Sequence, residues 1–320
     1  MAVFTSVPAP DLARFLALYD LGEATACEGI VEGWENSNFH LETTRGRFVL
    51  TLFERRVDEC DLPFFLGLME HLGARNFPCP RPMKRRDGGE WGRLCGKPAA
   101  IVSFLEGEWP RSPSPADCAE AGRALGRLHR KTGDFHGHRT NTMGIGAWRS
   151  LFEAVADRAD SLEPGMAIEI EADLEALERN WPSGLPLGVI HGDLFPDNTF
   201  FRDGRLVGVI DFYFACRDAL AVDLAIGLNA WCFDGEWTFD RMRGAALLAG
   251  YREIVPIESD ERAALPVLAR GMALRFLLTR LKDWLDRPPG AMVEPKDPRE
   301  YLAKLRFHRG VGDARDYGLD

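Results

Sequence analysis

Up to about residue 104 the apolar positions alternate with short polar turns, and beyond residue 107 they recur with the period of a helix. Leu12, Phe15, Leu16 and Tyr19 predict a short amphipathic helix over 11–20. Strands follow at 26–32, 37–43 and 47–53, and the turn Thr44-Arg-Gly46 joins the last two as a hairpin. Asp61-Leu-Pro63 opens a helix with an apolar stripe of Phe65, Leu68, Met69 and Leu72. Pro78-Cys-Pro-Arg-Pro82 forces extended backbone, 84–90 is a polar tip, and Pro98–Phe104 is a buried strand.

Ser114-Pro115-Ala-Asp117 then reads as a helix start: a capping hydroxyl, proline at the first helical position and an acid in the first turn. That helix runs to about Lys131, with Gly133 as its stop. Further helices are expected at 149–160, 168–181, 220–231, 239–254 and 260–285, the last kinked or split at Pro266. The pattern is α+β: a small antiparallel-sheet lobe over 1–104, a hinge at 105–109 and a larger, mainly helical lobe over 110–320.

Composition narrows the function more than the fold. At 46% hydrophobic and 28% charged the 320-residue chain is ordinary for a globular protein. Its net charge of −10 disfavours nucleic-acid and anionic-membrane partners, which need clustered Lys and Arg. Seven scattered cysteines without a C-x-x-C read as reduced thiols. The first residues lack a basic stretch and a long apolar run, and no apolar segment approaches the ~20 residues of a membrane span. A cytoplasmic protein is expected.

The helical half is interrupted at one place that carries chemistry. His191-Gly-Asp-Leu-Phe-Pro-Asp-Asn198 follows the apolar run 187–190, and a second run, 206–210, ends in Asp211. Asp193 is suited to orient and deprotonate an alcohol. Asn198 and Asp211 supply the hard oxygens that Mg²⁺ takes when it also binds nucleotide phosphates. Each residue alone is an ordinary turn residue; their grouping at the strand–loop junctions of one hairpin points to phosphoryl transfer. His191, between Ile190 and Gly192, reads as a hydrogen-bonded structural residue. In the first lobe, Glu32–Asn38, including Asn36 and Ser37, joins two strands and is placed to cover phosphates with backbone N–H groups. Gly92–Pro98 fails the P-loop rule at Trp91 and Pro98, and no G-x-G-x-x-G follows a strand.

The motif His-Gly-Asp-Leu-x-x-x-Asn followed by Ile-Asp-Phe resembles the aminoglycoside phosphotransferase and choline kinase group, which has a protein-kinase-like two-lobe fold. Glu35-Asn-Ser-Asn38, Phe48–Glu54, Val102-Ser-Phe-Leu105, Asp211–Cys216 and Asn229-Ala-Trp-Cys232 are similar to the homoserine kinases within that group. The Pro-x-x-x-Gly-Leu-Gly-Ser-Ser loop of the unrelated homoserine kinase fold is absent. The resemblance implies ATP and Mg²⁺ as cofactors and L-homoserine as the small-molecule substrate. It implies Asp193 as the catalytic carboxylate, His191 as a brace of the loop, and Asn198 and Asp211 as metal ligands. Val49 and Ile210 would enclose adenine, with its edge on the backbone of Ser103, Phe104 and Leu105.

One position departs from that pattern. The third strand of such kinases bears a lysine paired with a helix glutamate. Here the strand offers Thr51 and the helix Phe64 and Phe65, so both halves of the pair are missing together. Arg47, Arg55 and Lys97 are the candidate replacements. A zwitterionic acceptor needs an acid and a base, for which Arg217, Asp218 and Asp223 are candidates, with Trp231 as a wall. Three alternatives stay open: a kinase of another small alcohol (choline, methylthioribose or an aminoglycoside), a nucleotide-binding pseudokinase suggested by Thr51, and a metal-dependent phosphatase.

Overall fold

A computed structural model describes residues 4–30, 36–54, 57–287 and 295–319, and the chain forms two compact units. The first is Met1–Gly107 with two later segments, Phe135–Gly137 and Gly208–Tyr213; the second is Glu108–Asp134, His138–Val207 and Phe214–Asp320. The two late segments join the first unit through contacts distant in sequence. The Phe135 ring lies edge-on to Phe64 and His71, and Val209 N donates to Pro78 O at 2.8 Å.

The first unit is built on an antiparallel sheet in the order β1-β2-β3-β5-β4. Its strands are β1 (Ala24–Gly29), β2 (Asn36–Thr43), β3 (Gly46–Phe53), β4 (Trp91–Leu94) and β5 (Lys97–Ser103). Alternation along β3 sorts its side chains. Phe48, Leu50 and Leu52 join Phe39 and Leu41 of β2, and Ala99 and Ile101 of β5, in a core closed by Leu12, Phe15 and Leu16 of α1 (Ala9–Leu16). Val49, Thr51 and Phe53 therefore occupy the opposite face, with α2 (Leu62–Ala74), whose Phe65 and the Phe53 ring both contact Tyr213. Strand β4 has no counterpart in the sequence reading, because a four-residue edge strand containing Gly92 has too little alternation to register.

The second unit holds eight helices among its described residues: α3 (Pro115–Lys131), α4 (Ile145–Glu153), α5 (Ala156–Ala159), α6 (Met166–Asn180), α7 (Leu220–Trp231), α8 (Arg241–Arg252), α9 (Ser259–Leu285) and α10 (Arg299–Arg309). The start of α3 carries the expected cap. Asp117 N donates to Ser114 Oγ, and Asp117 accepts from Ser114 N, forming a capping box. Helix α9 runs unbroken through Pro266, and the span expected as one helix at 149–160 is two helices, α4 and α5. Helices α3 and α8 approach through glycines: a Cβ at Gly122 would lie 2.0 Å from Leu247 O, and one at Gly250 2.1 Å from Ala119 O. Trp148, unassigned by sequence, is a core residue that donates to Met143 O at 2.9 Å and meets Trp181 edge-on.

Short strands frame the motif region. β6 (Leu187–Ile190) pairs with β9 (Cys216–Ala219), while β7 (Thr199–Arg202) and β8 (Arg205–Val209) form a second ribbon between them. The sequence pattern predicts a single hairpin around the motif. Two nested ribbons are found instead, because β6 takes a partner beyond Asp211, a pairing that local pattern does not encode.

Candidate active site

The motif loop leaves β6 in the second unit and is held from beneath. His191 N and Gly192 N donate to the two carboxylate oxygens of Asp223, at 2.7 and 2.9 Å. His129 Nε2 lies 3.0 Å from the same carboxylate, and its Nδ1 lies 2.9 Å from the Tyr251 hydroxyl. Burial pushes the Asp223 pKa up, but the His129 hydrogen bond, nearby charge and the Gly192 amide more than offset it, so the carboxyl stays below its ordinary value. Asp223 is fully buried in the first turn of α7. It braces the loop, because its oxygens accept from the loop's own amides.

Gly192 turns the chain with φ 76°, and a Cβ there would lie 2.8 Å from Phe214 O. Only glycine meets both demands. Arg275 of α9 donates from Nη1 to Gly192 O at 2.9 Å and lies against the rings of Phe214 and Phe276. Asp193 N donates to His191 Nδ1 at 3.3 Å, which leaves the buried His191 ring as an acceptor at that atom. A 3₁₀ turn at Pro196–Asn198 then returns the chain. Asn198 Nδ2 donates to Asp193 O at 2.9 Å and to Asp193 Oδ2 at 3.3 Å. With the amide nitrogen committed, the oxygen of Asn198 is the atom suited to a cation.

The remaining acceptor candidates have partners of their own. Asp218 accepts from Asn141 Nδ2 at 2.6 Å and from Ala219 N at 2.7 Å. Arg217 is tied through its backbone N–H to Arg139 O. Trp231 is buried and donates from its indole to Leu194 O at 2.8 Å, so it supports the loop rather than lining a pocket. Residues that sequence reasoning missed lie in the same unit as the motif loop. Phe195 meets Phe276 edge-on, Phe276 meets Tyr301, and the buried Tyr301 hydroxyl has no hydrogen-bond partner among the described residues. Arg275 had a signal: a charged residue within the otherwise apolar run Met272–Leu278.

In the first unit, Asp211 is a non-glycine residue with φ 63°. A left-handed backbone at an aspartate stores strain of the order of 1 kcal/mol or more, and such strain clusters at functional sites. Phe104 lies against His40 and under the Arg47 guanidinium. Ser103 exchanges hydrogen bonds with the backbone of Arg81. Val49 and Leu105 are half-buried, and Ile210 lies in the late segment of this unit. Asn36 is buried and accepts from Glu54 N at 3.4 Å.

The Ser37 side chain is engaged within the sheet. It alternates onto the α1 face, accepts from Phe4 N and Thr5 N, and donates to Glu54 at 2.6 Å. A hydroxyl so committed is structural. Lys97 shares that face, 3.4 Å from Glu54, and so lies on the side opposite Thr51. Arg47 shares the face of Thr51 but sits four residues away, roughly 13 Å along the strand, and pairs with Glu106. Arg55 and the loop residues 31–35 lie outside the described residues.

Residues 26–257 match the model of the phosphotransferase enzyme family. The chain belongs to that family. It is 56% identical to the homoserine kinase of Rhodospirillum rubrum over 319 residues, covering 100% of this chain and 99% of that protein. It is 57% identical to the homoserine kinase of Methylobacterium radiotolerans over 318 residues, covering 99% of each. The fold is shared with amicoumacin kinase hAmiN, solved with AMP-PNP, Ca²⁺ and amicoumacin: TM-score 0.68 at 14% identity, over 93% of this chain and 91% of that one. Within this phosphotransferase the braced loop and the strained aspartate are the two ends of the sequence motif. No group of three His, Cys, Asp or Glu side chains suited to a metal occurs among the described residues. A Mg²⁺ that keeps waters and phosphate oxygens needs no such cage.

Proposed function

We propose that the protein transfers the γ-phosphoryl group of ATP to the hydroxyl of L-homoserine, giving O-phospho-L-homoserine. Near-identity of length and 53–57% identity to homoserine kinases carry the substrate class. The motif loop carries the reaction type, since a carboxylate beside an amide on a turn pinned from below is a site for an alcohol proton. Asp193 orients the acceptor hydroxyl and takes its proton as the O–P bond forms. The loop's bonds to Asp223 and Arg275 keep that carboxylate in place, so positioning rather than covalent chemistry supplies most of the acceleration. Asn198 and Asp211 are the oxygen donors assigned to Mg²⁺, which when bound would offset charge on the transferring group. Val49, Ile210 and the backbone of Ser103–Leu105 are assigned to adenine, and Asn36 to the edge of the phosphate loop.

The experiment is an ADP-release assay over L-homoserine, choline, methylthioribose, an aminoglycoside and L-serine, with Mg²⁺ and with EDTA. L-Homoserine is expected to give turnover at least tenfold above every other acceptor, and EDTA to abolish it. Preference for another alcohol refutes the substrate assignment. ADP release independent of acceptor refutes transfer to an alcohol.

A further inference from the structure

Asp218, Asp223 and Trp231 are each engaged within the protein, but another acid and base stand on the motif loop itself. Asp197 lies in the Pro196–Asn198 turn, next to Asn198, whose amide donates to Asp193 O and Oδ2. Its carboxylate accepts from Lys296 Nζ at 3.0 Å, 99 residues along the chain. The same ammonium lies 5.6 Å from the centre of the Phe195 ring. Asp193, Phe195, Asp197 and Lys296 all belong to the second unit.

Most exposed ion pairs contribute little and mark nothing. This one differs in its surroundings. In the segment that leads into α10, Asp297 is taken by Arg299, and Glu300 by Arg280 and Lys304. Lys296 turns instead to the motif loop, where Phe276 packs edge-on against Phe195 at 5.0 Å and holds its ring. Lys296 and Asp197 each keep roughly half of the side chain open to solvent. A base and an acid are thus presented side by side, on the same turn as the carboxylate assigned to the acceptor hydroxyl.

L-Homoserine carries an ammonium and a carboxylate on one carbon, a short chain from its hydroxyl. With the hydroxyl at Asp193, both charges must be received close to the motif loop. We propose that Lys296 and Asp197 form a clamp for the acceptor, in which Lys296 binds the substrate carboxylate and Asp197 its ammonium. This rests on the reading of L-homoserine as the acceptor. Opening the pair costs little because it is exposed, and each partner exchanges one ion pair for another. An alcohol with a single charge satisfies only one member, so the clamp selects a hydroxy amino acid over simpler alcohols.

Steady-state kinetics with three acceptors tests the clamp: L-homoserine, 3-aminopropan-1-ol, which lacks the carboxylate, and 4-hydroxybutanoate, which lacks the ammonium. An analogue that is not turned over is followed through its inhibition of L-homoserine phosphorylation. Lys296→Met is expected to raise KM for L-homoserine about ten- to a hundredfold, the range of one hydrogen bond to a charged group. It should weaken 4-hydroxybutanoate as much and leave 3-aminopropan-1-ol within about twofold. Asp197→Asn should show the crossed pattern, weakening L-homoserine and 3-aminopropan-1-ol and sparing 4-hydroxybutanoate. KM for ATP should stay within about twofold in both variants, and Lys296→Arg should recover most of the loss. A loss shared equally by all three acceptors gives the pair a structural role and overturns the clamp, as does an unchanged KM for L-homoserine in Lys296→Met. Wild-type preference for an uncharged alcohol removes the substrate reading and the clamp together. Wild-type preference for L-homoserine without the crossed pattern removes the clamp alone.

Discussion

Asp223 shows how one side chain decides whether a loop is a turn or a site. Its two oxygens collect His191 N, Gly192 N and His129 Nε2 in a buried setting. Replacing it with alanine leaves those donors without an acceptor. Asp223→Ala is expected to lower unfolding free energy by about 3–5 kcal/mol, the cost of breaking a buried charged network, with Asp223→Asn losing less because one acceptor oxygen remains. Urea unfolding measures this, and a loss below about 1 kcal/mol would remove Asp223 as the brace. The motif itself was legible at this scale because Asp193, Asn198 and Asp211 are chemically distinctive types at short spacing. Tyr301 was not, and the lone charge of Arg275 in an apolar run marks the residue without naming its partner, Gly192, 83 residues away.

At the scale of elements, what could be read was what is local. The Ser114 cap and first-turn acid fix α3, and the apolar positions of α7 give its span of Leu220–Trp231. The alternation of β3 sorts Thr51 from Leu50 and Leu52, and the same rule, applied to Ser37 and Lys97, puts both on the face opposite Thr51. What escaped depends on distant pairing. Strand β9 is four residues long and exists because β6 lies beside it. Helix α10 begins beyond a stretch rich in proline and charge, and its inward face is set by α9. Pro266 did not break α9, which begins with a capping box of Glu258 and Glu261 and continues through the proline.

Across the molecule, the C-terminal region is tied in by a buried polar hub. Asn229 of α7 donates to Ala225 O and Ala269 O, its side-chain oxygen meets His308 Nε2 at 3.1 Å, and its carbonyl accepts from Lys304. His308 Nδ1 accepts from the Tyr317 hydroxyl at 2.7 Å. Burial, and then the Lys304 charge, hold the His308 pKa down at about 3. The unfolded chain therefore takes up this proton near pH 6.5 while the folded one does not. Stability conferred by neutral His308 is complete above about pH 6.5 and falls by up to roughly 1.4 kcal/mol per pH unit below it. Unfolding free energies between pH 5 and 7.5 should show that slope, and His308→Gln should flatten it. An equal slope in the variant would place the proton uptake elsewhere.

Phosphoryl transfer to an alcohol depends above all on the carboxylate at Asp193. Formation of O-phospho-L-homoserine, followed by phosphorus NMR with ATP, Mg²⁺ and L-homoserine, tests it most directly when wild type and Asp193→Asn are compared. The expected result is that kcat falls by about 10²–10⁴ or more, as for a lost general base, with AMP-PNP affinity unchanged. Product formation by Asp193→Asn within about twofold of wild type would contradict it.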